Sequence, residues 1–467
     1  MFKKILLLGL FISFTNLFSQ HTLTGQMKPA NKKYTWAILY KLNGVNQKYV
    51  NNLTIENGKF SVEIPKNSPA GMYRLLYDNA NNKYLDFIYN NEDVTVEFHP
   101  DSPSQLVKYE KSQENIIYQK FIDKTSILQN KLDSIQVVYF QTKDKSHENN
   151  LNKLYKKELT ELIKIQKSFD TDTKDKLANN FIVASKRYYS KDLIKNTNDY
   201  LTTIKTHYFD NVDFDNPILK KSSLLIDRVM DYVFYLNTSN DKNTLVKLRK
   251  EGIDTVISKI PSDDFKKDVI ESLLYTLAQQ EDLELVDYIF KNHFTKLPIS
   301  LQDYEFKELI KDMLKTSLGN KAPDIVWKEK DKTKNLYSLK EHKYYLVVFW
   351  STTCSHCLKQ MPVLQKYLED KPEVQVIAVA IETNNSKVTW TDEKYYYEEF
   401  KHVLALSSDE DSVYKSSYVK DYGVNATPSF FLLNSDKTII AKPYDVKELE
   451  KIYPAISKDT KEDLKKK

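Results

Sequence analysis

Cys354 and Cys357 are the only cysteines in a chain of 467 residues, and they stand three apart. An apolar run, Tyr345-Leu346-Val347-Val348-Phe349-Trp350, precedes them, and a helical pattern extends over 354–368. A buried strand turning into a helix through Cys-Ser-His-Cys predicts an α/β unit. Helix positions i and i+3 share a face, so the two sulfurs fall within reach of each other. At the helix start, free backbone N–H groups and the positive helix end stabilise a thiolate. Cys354 is therefore the expected nucleophile and Cys357 the partner that resolves a mixed disulfide. His356 is expected to stabilise the thiolate further; the plainer alternative is an exposed loop residue. Zinc is disfavoured, because structural sites need four ligands, no second cysteine pair exists, and His402 is distant in sequence.

Residues 1–19 read as a signal peptide, with an uncleaved anchor helix as the plainer alternative. Lys3 and Lys4 precede an apolar core, Ile5 to Phe14, and Ser19 is a small residue before the expected cut. No cysteine near the cut would carry a lipid. Nothing later approaches the ~20 apolar residues of a membrane helix, so no stable span is expected after signal removal. Export implies an oxidising compartment, yet no cysteines are spare for structural disulfides. The formal charge of +5 forms no concentrated basic stripe, which argues against nucleic acid. With only 8 glycines, a Gly-rich phosphate loop is disfavoured too.

The chain has three textures. Residues 20–105 predict an antiparallel β-sandwich, with strands near 35–40, 59–64, 72–77, 84–89 and 94–98 separated by turn signals such as Asn43-Gly44 and Asn57-Gly58. Its aromatic richness fits a small core better than a carbohydrate site. Residues 106–316 predict helices, from spacings such as Phe121, Leu128, Leu132, Ile135 and Leu151, Tyr155, Leu159, Leu162. His207 with Asp210, Asp213 and Asp215 matches no metal-ligand spacing and reads as a helix-ending acidic loop. Residues 317–456 alternate strand and helix. Strands are expected at 345–350, 374–381, 403–406, 429–433 and 438–441, and helices at 354–368, 393–402, 412–422 and 446–452. This order predicts a mixed sheet in an α/β domain. Residues 457–467 read as a frayed, charged tail.

A second motif is Gly423-Val424-Asn425-Ala426-Thr427-Pro428-Ser429-Phe430-Phe431-Leu432-Leu433. A helix end, Thr-Pro, then an apolar strand suggests a cis proline. Together with Gly319 to Ile325 and Val347 to Cys357, it makes residues 317–456 resemble a thioredoxin-fold domain of the TlpA/ResA kind, secreted thiol–disulfide oxidoreductases. Lys359 and Pro362 fit that family's helix. The resemblance implies that Pro428 is cis and faces the dithiol, and that Thr427 offers backbone bonds to a substrate chain. Trp350 is expected to join them as a substrate-contacting residue. No cofactor is implied. The whole layout is similar to Bacteroidota envelope proteins, which implies a periplasmic location, exported proteins with thiols or disulfides as clients, and a membrane redox partner.

The departures from that pattern are specific. Thr353 stands where many relatives have tryptophan, and Ser355-His356 where many have a proline. Gln360 replaces the glutamate used as a proton relay in the reductase branch, and Val348 replaces the buried aspartate of thioredoxin. Glu382, at the end of the neighbouring strand, is the remaining candidate relay, with a surface carboxylate as the plainer alternative. The direction of electron flow stays open. Two other functions compete. A peroxiredoxin-like thiol peroxidase would have Pro and Thr ahead of its cysteine; here Ser351 takes the Thr place and the Pro is missing. An envelope binding protein would use the first two regions to recruit a protein or glycan, with the redox domain subsidiary.

Overall fold

The computed structural model describes residues 21–79, 81–329, 332–406 and 417–463. The expected signal peptide lies outside the described residues, as does the start of the helix expected at 412–422. The chain divides into two compact units between Ser272 and Leu273.

The first unit begins with eight strands: β1 (His21–Met27), β2 (Trp36–Asn43), β3 (Asn46–Thr54), β4 (Lys59–Ile64), β5 (Gly71–Asp78), β6 (Lys83–Tyr89), β7 (Val94–Phe98) and β8 (Val107–Lys111). They form two four-stranded sheets, in the orders β4-β1-β7-β8 and β3-β2-β5-β6. Alternation decides which face turns inward: in β4, Phe60, Val62 and Ile64 are buried while Lys59, Ser61 and Glu63 are exposed. The inner faces share one core that takes in Tyr73, Tyr77, Phe87, Tyr89 and Phe98, so these rings fill the interior. One expectation is corrected. The pairing of β1 with β7 is parallel, because β1 sits between two strands that run in opposite senses. The strands also continue to Lys111, beyond the boundary expected at 105.

Helices Gln113–Gln141 and Lys145–Asp172 follow. Leu128, Leu132 and Ile135 of the first pack with Leu151, Tyr155, Leu159 and Leu162 of the second. Helix Leu224–Met230 continues as a π-helical turn over Asp231–Leu236.

The second unit carries helices Leu283–Asn292 and Tyr304–Leu314, then a hairpin of β9 (Val326–Glu329) and β10 (Lys332–Asn335). Five more strands build its main sheet: β11 (Tyr344–Trp350), β12 (Val374–Glu382), β13 (Lys401–Leu406), β14 (Ser429–Asn434) and β15 (Ile439–Ala441). Their order is β13-β12-β11-β14-β15. β11, β12 and β13 run parallel, and β14 and β15 form antiparallel pairs, β14 with β11 and β15 with β14. Every residue of the central strand β11 is buried, which explains its unbroken apolar run. Separate cores cover the two faces of the sheet. The end of β11, the end of β12 and the start of β14 meet at one pole, where Phe349 pairs with Ser429 and Trp350 with Ala380.

Two expectations near this sheet are corrected. The helix expected at 393–402 is replaced by helix Lys387–Glu393 and a 3₁₀ turn over Lys394–Tyr397. The chain then enters β13, where His402 pairs with Ala378. Aromatic residues at 395–397 favour a helix weakly, and the edge of the sheet takes the segment that follows. The final helix, Val446–Asp463, runs well into the stretch expected as a tail.

Candidate functional site

The dithiol sits where β11 gives way to helix Ser355–Leu368. Cys354 is the N-cap of that helix, in extended conformation with φ −94° and ψ 106°. Its Sγ accepts the Cys357 N–H at 3.3 Å, and its carbonyl accepts the Leu358 N–H at 3.1 Å. The sulfur thus takes the place that a Ser or Asp oxygen fills at an ordinary N-cap. The Cys354 thiol also donates to the Thr427 carbonyl at 3.4 Å. The Thr427–Pro428 peptide bond is cis. The two motifs, separated by some seventy residues of sequence, therefore meet at the sulfur.

The two thiols have unlike surroundings. Cys354 is partly exposed, and Cys357 is completely buried. Partial burial pushes the Cys354 thiol up, but hydrogen bonding to Cys357 and Thr427 and from the backbone of Cys357 and His356 outweighs it, and the net direction is down from an ordinary thiol. Burial pushes the Cys357 thiol up to about 12, with the hydrogen bond and charge of Cys354 adding to the effect. The outer sulfur is the easier one to ionise, and the inner one holds its proton.

The imidazole of His356 is exposed and makes no hydrogen bond or ion pair among the described residues. It is the backbone N–H of His356 that favours the Cys354 thiolate. Trp350 requires a correction. It is 0% exposed, inside the core beneath the helix, with its ring edge-on to Tyr397 at 6.0 Å. As the last residue of a strand covered on both faces it has no surface to offer a substrate.

Glu382 is also 0% exposed, so the surface-carboxylate alternative fails. Its Oε1 accepts both the Thr352 N–H at 2.6 Å and the Thr352 hydroxyl at 3.0 Å. Its Oε2 is buried without a hydrogen-bond partner among the described residues. The carboxylate is thereby fixed against the turn that leads into Cys354. Thr352 was not visible as a site residue in the sequence, because a Thr-Thr pair in a turn carries no motif of its own. Beside it, the Ser351 and Thr353 hydroxyls bond to each other at 2.9 Å. Gln360 ties two helices together, since its Oε1 accepts the Val446 N–H at 3.0 Å, at the start of the last helix. His207 pairs with Asp210 at 2.6 Å at the end of helix Thr197–His207.

Residues 317–455 match the Redoxin family model. The C-terminal unit carries a thioredoxin-like oxidoreductase domain. Ahead of this redoxin domain, residues 21–118 match a domain of unknown function, DUF4369. No curated protein matches the chain. Among solved structures, the chain is similar to the thioredoxin domain of a thiol-disulfide oxidoreductase from Bacteroides vulgatus, at 25% identity over 30% of this chain and 96% of that one, with a TM-score of 0.25. It is similar to a thiol:disulfide interchange protein from Bacteroides sp., at 25% identity over 30% and 88%, TM-score 0.24. A thioredoxin-like protein from Bacteroides caccae aligns over 57% of this chain and 96% of its own, at 16% identity and TM-score 0.29. At such TM-scores the likeness carries no functional weight, and the chemistry of the redoxin domain rests on the residues at its pole. Among the described residues no group of three or more His, Cys, Asp or Glu is gathered to hold a metal, and no helix is long and apolar enough to cross a membrane.

Proposed function

We propose that this protein is an exported, periplasmic thiol–disulfide oxidoreductase working through Cys354 and Cys357 on client proteins. One observation carries the reading: a partly exposed sulfur at a helix start, favoured as a thiolate, stands over a fully buried second thiol three residues on. In the reducing direction, the Cys354 thiolate attacks one sulfur of a client disulfide. A Cys354–client disulfide forms, and the other client sulfur leaves as a thiolate and takes up a proton. Cys357 then loses its proton and attacks the Cys354 sulfur. The Cys354–Cys357 disulfide forms, and the second client thiol is released. Two electrons have passed from the dithiol to the client. The oxidising direction is the same path reversed, and a membrane redox partner would reset the pair.

The second step needs a proton acceptor, because Cys357 is hard to ionise. Glu382 is the candidate, with one oxygen committed to Thr352 and the other uncommitted. Thr427 and Pro428 would receive the client backbone beside the outer sulfur. Export is supported by the basic, apolar and small-residue pattern over 3–19.

The direct test is Cys354→Ser in a disulfide-exchange assay with insulin. Exchange should fall to the uncatalysed rate, and activity equal to the parent would end the proposal. Cys357→Ser should instead accumulate a mixed disulfide at Cys354.

A further inference from the structure

Tyr444 is 81% exposed, in the short loop between β15 and the last helix. β15 runs antiparallel to β14, with Ala441 opposite Leu432. Chain leaving β15 therefore heads toward the start of β14. Tyr444 lies three residues past Ala441, and Ser429, which follows Pro428, lies three residues before Leu432. The loop thus returns to the pole that holds the cis Thr427–Pro428 bond and the Cys354 sulfur. An independent bond agrees. The Val446 N–H reaches Gln360, and Gln360 stands six residues along the helix from Cys354, about 9 Å by helical rise.

The loop backbone is held firmly. The Tyr444 N–H donates to Glu448 at 2.7 Å, and the Glu448 N–H donates to Asp445 at 2.8 Å. Lys442 forms an ion pair with Glu281. Yet the ring of Tyr444 has no hydrogen-bond, ring or cation partner among the described residues. The charged residues of the loop, Lys442 and Asp445, are engaged, as is Glu448 in the first turn of the helix, so what the loop offers outward is the aromatic face.

We propose that Tyr444 is a specificity-determining residue of the exchange reaction: its ring receives an apolar side chain next to the attacked half-cystine of an extended client polypeptide. The inference rests on the dithiol reading above and names its preferred substrate class. A fixed backbone presenting an aromatic ring loses little conformational entropy on contact, which suits it to receiving such a side chain. A loop that continues the Thr427–Pro428 edge, which the dithiol reading assigns to the client backbone, lies along the path that an extended polypeptide would take past Cys354.

The test uses the full chain, reduced beforehand, in single-turnover exchange with two synthetic cystine peptides. These differ only in Leu or Gly beside the attacked half-cystine, and a small aromatic disulfide, dithiobis(nitrobenzoate), serves as a third substrate. The parent should prefer the Leu peptide by about tenfold, the scale of partly burying one leucine side chain. Tyr444→Ala should bring the preference to about twofold or less by raising the half-saturating peptide concentration, and Tyr444→Phe should keep it. Neither change should alter the rate with the small disulfide. Tyr396→Ala is the control: its ring is 69% exposed, but its carbonyl is bonded to Gln365, far down the helix from Cys354. A parent with no preference, or a preference that survives Tyr444→Ala, overturns the inference. A parent inert toward the small disulfide overturns the dithiol reading itself, and this inference with it.

Discussion

Two buried polar nodes, one in each unit, differ in how completely their bonds are closed. In the first unit, Asn115 reads both backbone groups of Ile88, donating to its carbonyl at 2.6 Å and accepting its N–H at 2.8 Å. The Ser112 hydroxyl donates to Glu92 and accepts from the Asn115 amide. Glu114 accepts from Asn90 through one oxygen and from the Ala178 N–H through the other. The node ties the long helix to a sheet and to a later helix, and both oxygens of Glu114 are used. In the second unit, Glu382 uses one oxygen, and the other has no hydrogen-bond partner among the described residues. Beyond the Thr352 turn that it holds stand one thiol shifted toward ionisation and one shifted away from it. A closed node holds a fold in place. An open one costs stability, and the spare oxygen of Glu382 is available to chemistry.

This contrast can be broken at either end. Asn115→Ala leaves two backbone groups of Ile88 buried without partners, and each such loss costs roughly 1–3 kcal/mol. We expect the first unit to lose about 3 kcal/mol in denaturant unfolding, while exchange with a small disulfide by the folded protein is unchanged. A substitution there that slowed the dithiol without loss of stability would show that the two nodes are not separate in kind.

At the open end, Glu382→Gln keeps an oxygen that can accept both Thr352 bonds and removes the group able to take a proton. If Glu382 receives the Cys357 proton, the resolving step should slow on the order of 10²-fold near neutral pH, and the loss should narrow as pH rises. Stopped-flow release of the second client thiol measures this step. A pH profile matching the parent would make Glu382 an anchor for Thr352 and nothing more. Glu382→Ala separates the roles from the other side, since it frees the Thr352 N–H and hydroxyl and should lower stability as well.

The sequence showed the parts of this site better than their states. The placement of Cys354 and Cys357 at a strand-to-helix turn and the cis bond at Thr427–Pro428 were legible because both follow local patterns. Burial was not. Glu382 and Trp350 both end apolar strands, and only the closure of helices over the sheet decides that each is sealed. Of the strands, β4 and β7 were read to the residue, as their alternation is strict. β3, Asn-Gln-Lys-Tyr-Val-Asn-Asn-Leu-Thr, was missed, because an edge strand that buries little carries no apolar signal. The parallel pairing of β1 with β7 joins residues some seventy apart, beyond the reach of any local pattern.

The comparison sharpens further at the two sulfurs. Alkylation by iodoacetamide reads the thiolate fraction, so its midpoint at Cys354 should lie below that of an ordinary thiol, while Cys357 should stay unreactive well above neutral pH. The signs also fix opposite contributions to stability. Cys354, with its pKa lowered on folding, contributes stability above the unfolded thiol pKa that is lost as pH falls through the folded value. Cys357, with its pKa raised, contributes stability below the unfolded value that is lost as pH rises toward about 12. Equal midpoints for the two thiols would remove the asymmetry on which the assignment of attacker and resolver rests.

The smallest effect belongs to Gln360→Glu, which restores the acid at the place the reductase branch uses. The side chain is already engaged with the Val446 N–H, and a carboxylate accepts that bond as well as an amide does. The negative charge also suits the N-terminus of the last helix. The new acid is therefore held away from Cys357 by the bond that the glutamine makes now. We expect the resolving rate to change by about twofold or less, with a slight gain in stability. A large acceleration would mean that the acid at 360 can leave Val446 and reach the buried thiol. That would place the missing proton acceptor on the helix and relieve Glu382 of the role.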